Sequence, residues 1–183
     1  MSWSDQIGKD IKSSKEKRKG DMAGRSRKEK QVDKWHEKFK EAPIGKIFNG
    51  SKSNPKFGVA ITFQKLVRLR AADDNGICTC ISCGIRKPWN QMHGGHFVKR
   101  GNKATILSPI NVNPQCVQCN HYLGGNDGEY RRALVELHGE EAIAELQAMR
   151  LPDNHVWDRR KLAELKVEFL AEIKKHEKRI GLL

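Results

Sequence analysis

The sequence predicts an α+β fold: a small core of short strands and loops flanked by helices, with a basic N-terminal arm before it and one long helix after it. Three observations predict this. Apolar residues recur at helical spacing on both sides of a central segment. Between Ile77 and Cys119 that spacing gives way to short apolar runs punctuated by Gly and Pro, the pattern of small strands and turns. Two Cys-x-x-Cys pairs, Cys80/Cys83 and Cys116/Cys119, bracket this segment with 32 residues between them.

The arm comes first. Residues 1 to 50 carry 14 Lys and Arg against 8 Asp and Glu, and residues 1 to 25 read as a solvated tail. Within the arm, RKEKQVDKWHEKFKEAP places Val32, Trp35 and Phe39 at helical spacing before Pro43 stops the run. A second helix is predicted from Val59 to about Asp73, with Val59, Phe63, Leu66 and Val67 on one face and Asn75-Gly76 as its end. After the cysteines, Asn126 reads as an N-cap, and Glu129 three residues later completes a capping-box spacing ahead of Tyr130, Leu134, Val135 and Leu137. Gly139 closes that helix, another follows from Glu140 to Met149, and Pro152 ends the group. The last helix carries Leu162, Leu165, Phe169, Ile173 and Ile180 as one apolar stripe, which packs on the core or forms the seam of a homodimer. The expected organisation is therefore an arm over 1–56, a metal-bound domain over 57–150 and a C-terminal helix over 151–183.

A chain of 183 residues, 37% hydrophobic and 31% charged, suits one compact domain with extensions. Its formal net charge of +13 favours a polyanionic partner, most often nucleic acid, because neutralising phosphates releases counterions. No apolar run reaches the roughly 18 residues of a membrane span, and the first residues lack the apolar core of a signal peptide. A cytoplasmic location is expected, and reduced cysteines there act as metal ligands rather than disulfides.

Each Cys-x-x-Cys turn presents two sulfurs to one point, so Cys80, Cys83, Cys116 and Cys119 form a tetrahedral cage suited to structural Zn2+, with iron as the competing metal. Cys78 offers a second spacing to Cys80, yet the matched pairs leave it as a small buried apolar residue. A closed four-thiolate cage has no open coordination position, so any chemistry must come from other residues. Between Asn75 and Asn126 there is no Asp or Glu, whereas Arg86, Lys87, Lys99, Arg100 and Lys103 all lie there, a field that favours phosphate. Gly94 and Gly95 precede His96 and suggest close backbone approach beside an exposed imidazole. Arg131 and Arg132, on the following helix, are further candidates for phosphate contact.

The order CISC, GGHF, NVNPQC and CVQCN resembles the zinc-bearing HNH, or ββα-metal, endonucleases, which build a treble-clef core. Within them the chain is similar to the phage NinG (Rap) recombination endonucleases, sharing CISCG, Trp89, GGHF, Asn111, QCVQCN and GNDGEYR over about residues 57 to 150. The resemblance implies that His96 is the general base, a task suited to an imidazole that titrates near working pH. It implies that Asn120 helps hold a catalytic divalent cation, Mg2+ or Mn2+, and that Asn111 braces the loop that orients His96. It also implies DNA as substrate, branched intermediates such as Holliday junctions or D-loops in particular. Many HNH enzymes carry a metal-binding Asp or His immediately before the base, where this chain has Gly95. His93 and His121 are the candidate replacements, and Asp127 or Glu129 the carboxylates within reach in sequence. A treble-clef module that binds DNA or RNA without cutting is the rival reading, and an iron electron carrier explains the cysteines alone.

Overall fold

The protein is described by a computed structural model covering residues 24–150 and 155–183. The expected solvated tail lies, for residues 1–23, outside the described residues.

The chain enters on α1 (Arg27–Lys40), started by a capping box in which the Ser26 hydroxyl accepts from the Glu29 N–H and the Glu29 carboxylate accepts from the Ser26 N–H. Its apolar face buries Val32 and Phe39. A short helix absent from the sequence reading, α2 (Ile44–Asn49), follows Pro43 and buries Ile47 and Phe48. Residues 27–49 thus contribute to the core instead of extending as an arm. Helix α3 (Val59–Ala71) ends two residues short of the expected Asp73. Asp73 itself forms the turn, its carboxylate accepting from the N–H groups of Asn75 and Ile77, and Gly76 completes it at φ +74°.

The central segment holds two antiparallel pairs, β1 (Ile77–Thr79) with β2 (Arg86–Pro88) and β3 (Met92–His96) with β4 (Val112–Cys116). In the second pair Met92 lies opposite Cys116 and His96 opposite Val112. A π-helical turn, Gln118–Tyr122, leads into α4 (Asp127–His138) and α5 (Glu140–Ala148), separated by Gly139 at φ +84°.

Helix α6 (Arg159–Arg179) packs against α1 and α3. Leu162, Phe169 and Ile173 are buried in the shared core, with Leu165 and Ile180 packed at its edge, so the predicted stripe is taken up by the chain itself. On the same face Lys166 is fully buried, donating to the carbonyls of Lys56 and Gly58 and to the Thr62 hydroxyl, and burial pulls its ammonium down to about 8. These three acceptors dock α6 onto the start of α3. No helix among the described residues is long and apolar enough to cross a membrane.

Candidate metal centre and adjoining cleft

The sulfurs of Cys80, Cys83, Cys116 and Cys119 lie within 4.8 Å of one another. A tetrahedron with Zn–S bonds of about 2.3 Å has sulfur–sulfur edges of about 3.8 Å. The Cys83 and Cys116 sulfurs stand 3.7 Å apart, so the dimensions suit structural zinc. Gly84, at φ +74°, lets the first knuckle close, its N–H donating to the Cys80 carbonyl. The backbone N–H of Cys116 points at the Cys80 sulfur (3.3 Å) and that of Cys119 at the Cys116 sulfur (3.4 Å), donors that favour thiolates. Burial raises the Cys80 thiol, but N–H groups of Cys116, Cys83 and Ser82 outweigh it and hold it below its ordinary value. Cys78 lies outside the quartet: it is buried, donates to the Arg68 carbonyl at 3.0 Å, and burial pushes it up to about 11.

Asn126 departs from its predicted capping role. Its backbone is left-handed (φ 48°, ψ 51°) and its side chain makes no cap bond, because an N-cap needs an extended backbone to reach back over the first turn. The amide instead donates to the Cys119 sulfur at 3.5 Å, and Glu129 pairs with Arg132. Asn126 is thus a support of the metal cage that sequence spacing assigned to the helix.

Beside the cage is a cleft of about 430 Å³, whose polar lining is Gln64, Arg68, His93, His96, Lys99, Arg100 and Asn120. Among the described residues, no Asp or Glu lines it. Arg68 was missed by the sequence reading because it lies on α3, outside the acid-free interval. Its guanidinium is held by the carbonyls of Met92 (2.9 Å) and Gln64 (3.1 Å). Arg100 is held by the Asn49 side chain at 2.7 Å. Burial lowers both guanidinium pKa values without discharging them, which leaves two fixed cations facing one space.

Of the predicted phosphate contacts, only Lys99 and Arg100 line this cleft. Arg86 pairs with Asp73, Arg131 with Glu140 and Arg132 with Glu129. Lys87 is in β2, opposite Cys78, and Lys103 accepts from the Trp157 indole through its carbonyl. None of those five lines the cleft: Arg86 and Lys87 are on β2, Arg131 and Arg132 on α4, and Lys103 in the loop after β3.

His93 and Asn120 meet across the cleft, the Asn120 Nδ2 lying 2.8 Å from His93 Nδ1. Burial, then the Arg68 charge and His121, lower the His93 pKa, so its ring is neutral at physiological pH. With the amide donating to Nδ1, the Asn120 oxygen is the group left to a cation; with the amide turned over, His93 Nε2 becomes available instead. His121 is exposed and outside the cleft lining. Asp127 binds Lys99 at 3.1 Å beside the cleft wall, and Glu129 faces away with Arg132.

His96 ends β3 with its ring half-buried, not exposed as the glycines had suggested. Its Nε2 lies 3.3 Å from the Ile106 carbonyl, which can only accept, so Nε2 carries the proton and Nδ1 the lone pair. Burial takes its pKa down to about 4, aided by Arg100 and opposed by the carbonyls of Ile106 and Gly94. The glycines answer to packing instead. A Cβ on Gly94 would sit 2.8 Å from Gln64 of α3, and one on Gly95 would sit 2.3 Å from the Gln115 Oε1. Position 95 has no room for a metal-binding side chain while Gln115 is in place.

Asn111 is fully buried and touches no part of the cleft; it clamps the loop after β3. Its Oδ1 accepts from Val98 N–H at 2.6 Å, and its Nδ2 donates to the carbonyls of Val98 and Thr105 at 3.0 Å each. Tyr130 holds the same region from α4, its hydroxyl donating to the Gly95 and Asn111 carbonyls. Asn111→Ala is expected to lower unfolding stability by about 3 kcal/mol, since three backbone groups lose their partner. Urea unfolding reads this as a lower midpoint at unchanged slope.

Comparison with known proteins gives the cleft its context. A family model described as Bacteriophage Lambda NinG protein matches residues 2–179. Protein ninG of Escherichia phage lambda is 30% identical over 101 residues, covering 52% of this chain and 46% of the relative. Protein ninG of Salmonella phage P22 is likewise 30% identical, and that of Escherichia phage 933W 29% identical, over the same shares of each chain. The chain spans about half the length of the curated relatives it matches. No solved structure matches it. With the family model covering nearly its whole length, this chain belongs to the NinG family of phage proteins.

Proposed function

We propose that the chain is a metal-dependent DNA endonuclease of the HNH, ββα-metal class, with the four cysteines as a structural zinc site and branched recombination intermediates as substrate. One observation carries the reading: a single carboxylate-free cleft joins an imidazole held as a neutral base, a His–Asn pair and two anchored arginines. The β3–β4 pair followed by the turn and α4 supplies the ββα order expected of that class.

In this reading Arg68, Lys99 and Arg100 draw a backbone phosphate into the cleft and hold it by charge-assisted hydrogen bonds. His96 accepts a proton from water at Nδ1 and passes into the imidazolium, which the Ile106 and Gly94 carbonyls stabilise. A phosphodiester in the cleft raises the imidazole pKa toward neutrality, improving its strength as a base. A divalent cation held by the Asn120 oxygen, or by His93 Nε2 with the Asn120 amide turned over, would supply charge for the scissile phosphate and the leaving oxygen. Imidazole and amide donors without a carboxylate favour Mn2+ over Mg2+.

The test is a cleavage assay on four-way-junction and linear DNA with zinc-loaded protein and added Mg2+ or Mn2+. Junction cutting that is faster with Mn2+ is the expected result. Tight DNA binding without cutting under either ion would sink the nuclease and leave a treble-clef binding module.

A further inference from the structure

Beside the cleft, the chain displays two large apolar side chains that its own core does not use. Tyr122 is 71% exposed and Leu123 53% exposed. They sit at the tip of the turn that runs from Asn120 to Gly124 and Gly125, all three of which line the cleft. The tip is held at its base. Leu123 N–H donates to the Gln118 carbonyl, Asn126 N–H to the Leu123 carbonyl, and Gly125 N–H to the Cys119 carbonyl, all at 2.9 Å. Cys119 is in the cysteine quartet, so the pair is mounted directly on the candidate metal centre.

We propose that Tyr122 and Leu123 form a wedge that stacks on a nucleobase left unstacked at a DNA branch point. The proposal rests on the nucleic-acid reading of the cleft and adds what the cationic groups cannot supply. Arginine and lysine contacts to phosphate hold any duplex alike, because every step of the backbone carries the same charge. A rigid aromatic beside them binds best where a base is already open, since the cost of unstacking is then small. Charge complementarity commits the surface to nucleic acid: the adjoining lining holds Arg68 and Arg100, and Lys99 with its Asp127 partner at the wall. Two side chains are also far too few for a second protein chain, whose stable interface covers roughly 800 Å² on each partner.

The experiment uses full-length zinc-loaded protein and a four-way DNA junction with 2-aminopurine beside the crossover, without added Mg2+ or Mn2+. Fluorescence of the open base is expected to fall on binding of the parent and of Tyr122→Phe, as the ring stacks on it, and to stay near the free-DNA level with Tyr122→Ala. Junction affinity of Tyr122→Ala and of Leu123→Ala should fall, by about tenfold for the tyrosine, with affinity for linear duplex unchanged. Both positions are exposed, so the variants retain the fold. An equal fluorescence fall with Tyr122→Ala, or an equal affinity loss on linear and junction DNA, overturns the wedge. Tyr122-dependent quenching without cleavage under any divalent ion would remove the nuclease and leave the wedge standing; cleavage without that quenching would do the reverse.

Discussion

In the proposed nuclease, replacing His96 by alanine is expected to slow DNA cleavage by about 10²- to 10⁴-fold, with junction binding within a few-fold of the parent. The ring ends β3, and its Nε2 proton is committed to the Ile106 carbonyl, which leaves Nδ1 as the nitrogen that can take a proton. Added imidazole should restore part of the rate to the alanine variant, a result that a merely structural histidine would not give. The pH profile is a separate check. An ordinary histidine loses its base form near pH 6.5, whereas burial holds His96 near 4. The acid limb of kcat/KM, which reports the free protein, should therefore lie well below pH 6. Stability follows the same displacement. Between pH 6.5 and about 4 the unfolded chain takes up a proton at His96 that the native chain refuses, so stability falls as pH falls through that window. The loss amounts to roughly 3 kcal/mol at its end and should be absent from His96→Ala. A parent-like rate in that variant would remove His96 from the base position.

Loss of the metal is the other large effect. The cysteines are surrounded by a small apolar cluster of Ala72, Cys78 and Met92 with Trp89 at its edge, too little burial to hold β1 to β4 together alone. Structural zinc contributes on the order of 10 kcal/mol in small domains, so Cys116→Ala is expected to melt the segment from β1 to the start of α4. Hydrogen exchange should show protection lost there and retained in α1, α3 and α6, whose core takes only Ile106, Leu107 and Val112 from the central segment as buried members. Cys78→Ser should still bind one zinc per chain and lose only about 1–2 kcal/mol, since a hydroxyl can also donate to the Arg68 carbonyl. A zinc-free protein with an intact β3–β4 pair would contradict the platform role.

Much of this site was legible before any geometry, for a local reason. Two Cys-x-x-Cys knuckles are short turns whose ligand positions depend on immediate neighbours, so their spacing alone pointed to the quartet. The stripe on α6 and the faces of α1 and α3 follow from helical period in the same way. The absence of acid between Asn75 and Asn126 foretold a cationic cleft at Arg100, whereas Lys99 meets Asp127, the first carboxylate after that interval.

What the sequence by itself determined, then, is the metal cage, the helical faces and the sign of the charge. Tertiary structure alone decided which residues share the cleft. Arg68 reaches it only because α3 packs on β3, where the Met92 carbonyl catches the guanidinium. Gly95 reads as an exposed approach to His96 until the Gln115 amide is seen in the space a side chain would need. Asn126 has capping spacing, yet its left-handed backbone turns the amide to a sulfur seven residues earlier. Lys166 interrupts an apolar stripe as if by error, and is satisfied by carbonyls more than a hundred residues away. Each depends on a partner distant in sequence, and local spacing holds no information about a distance that only packing sets.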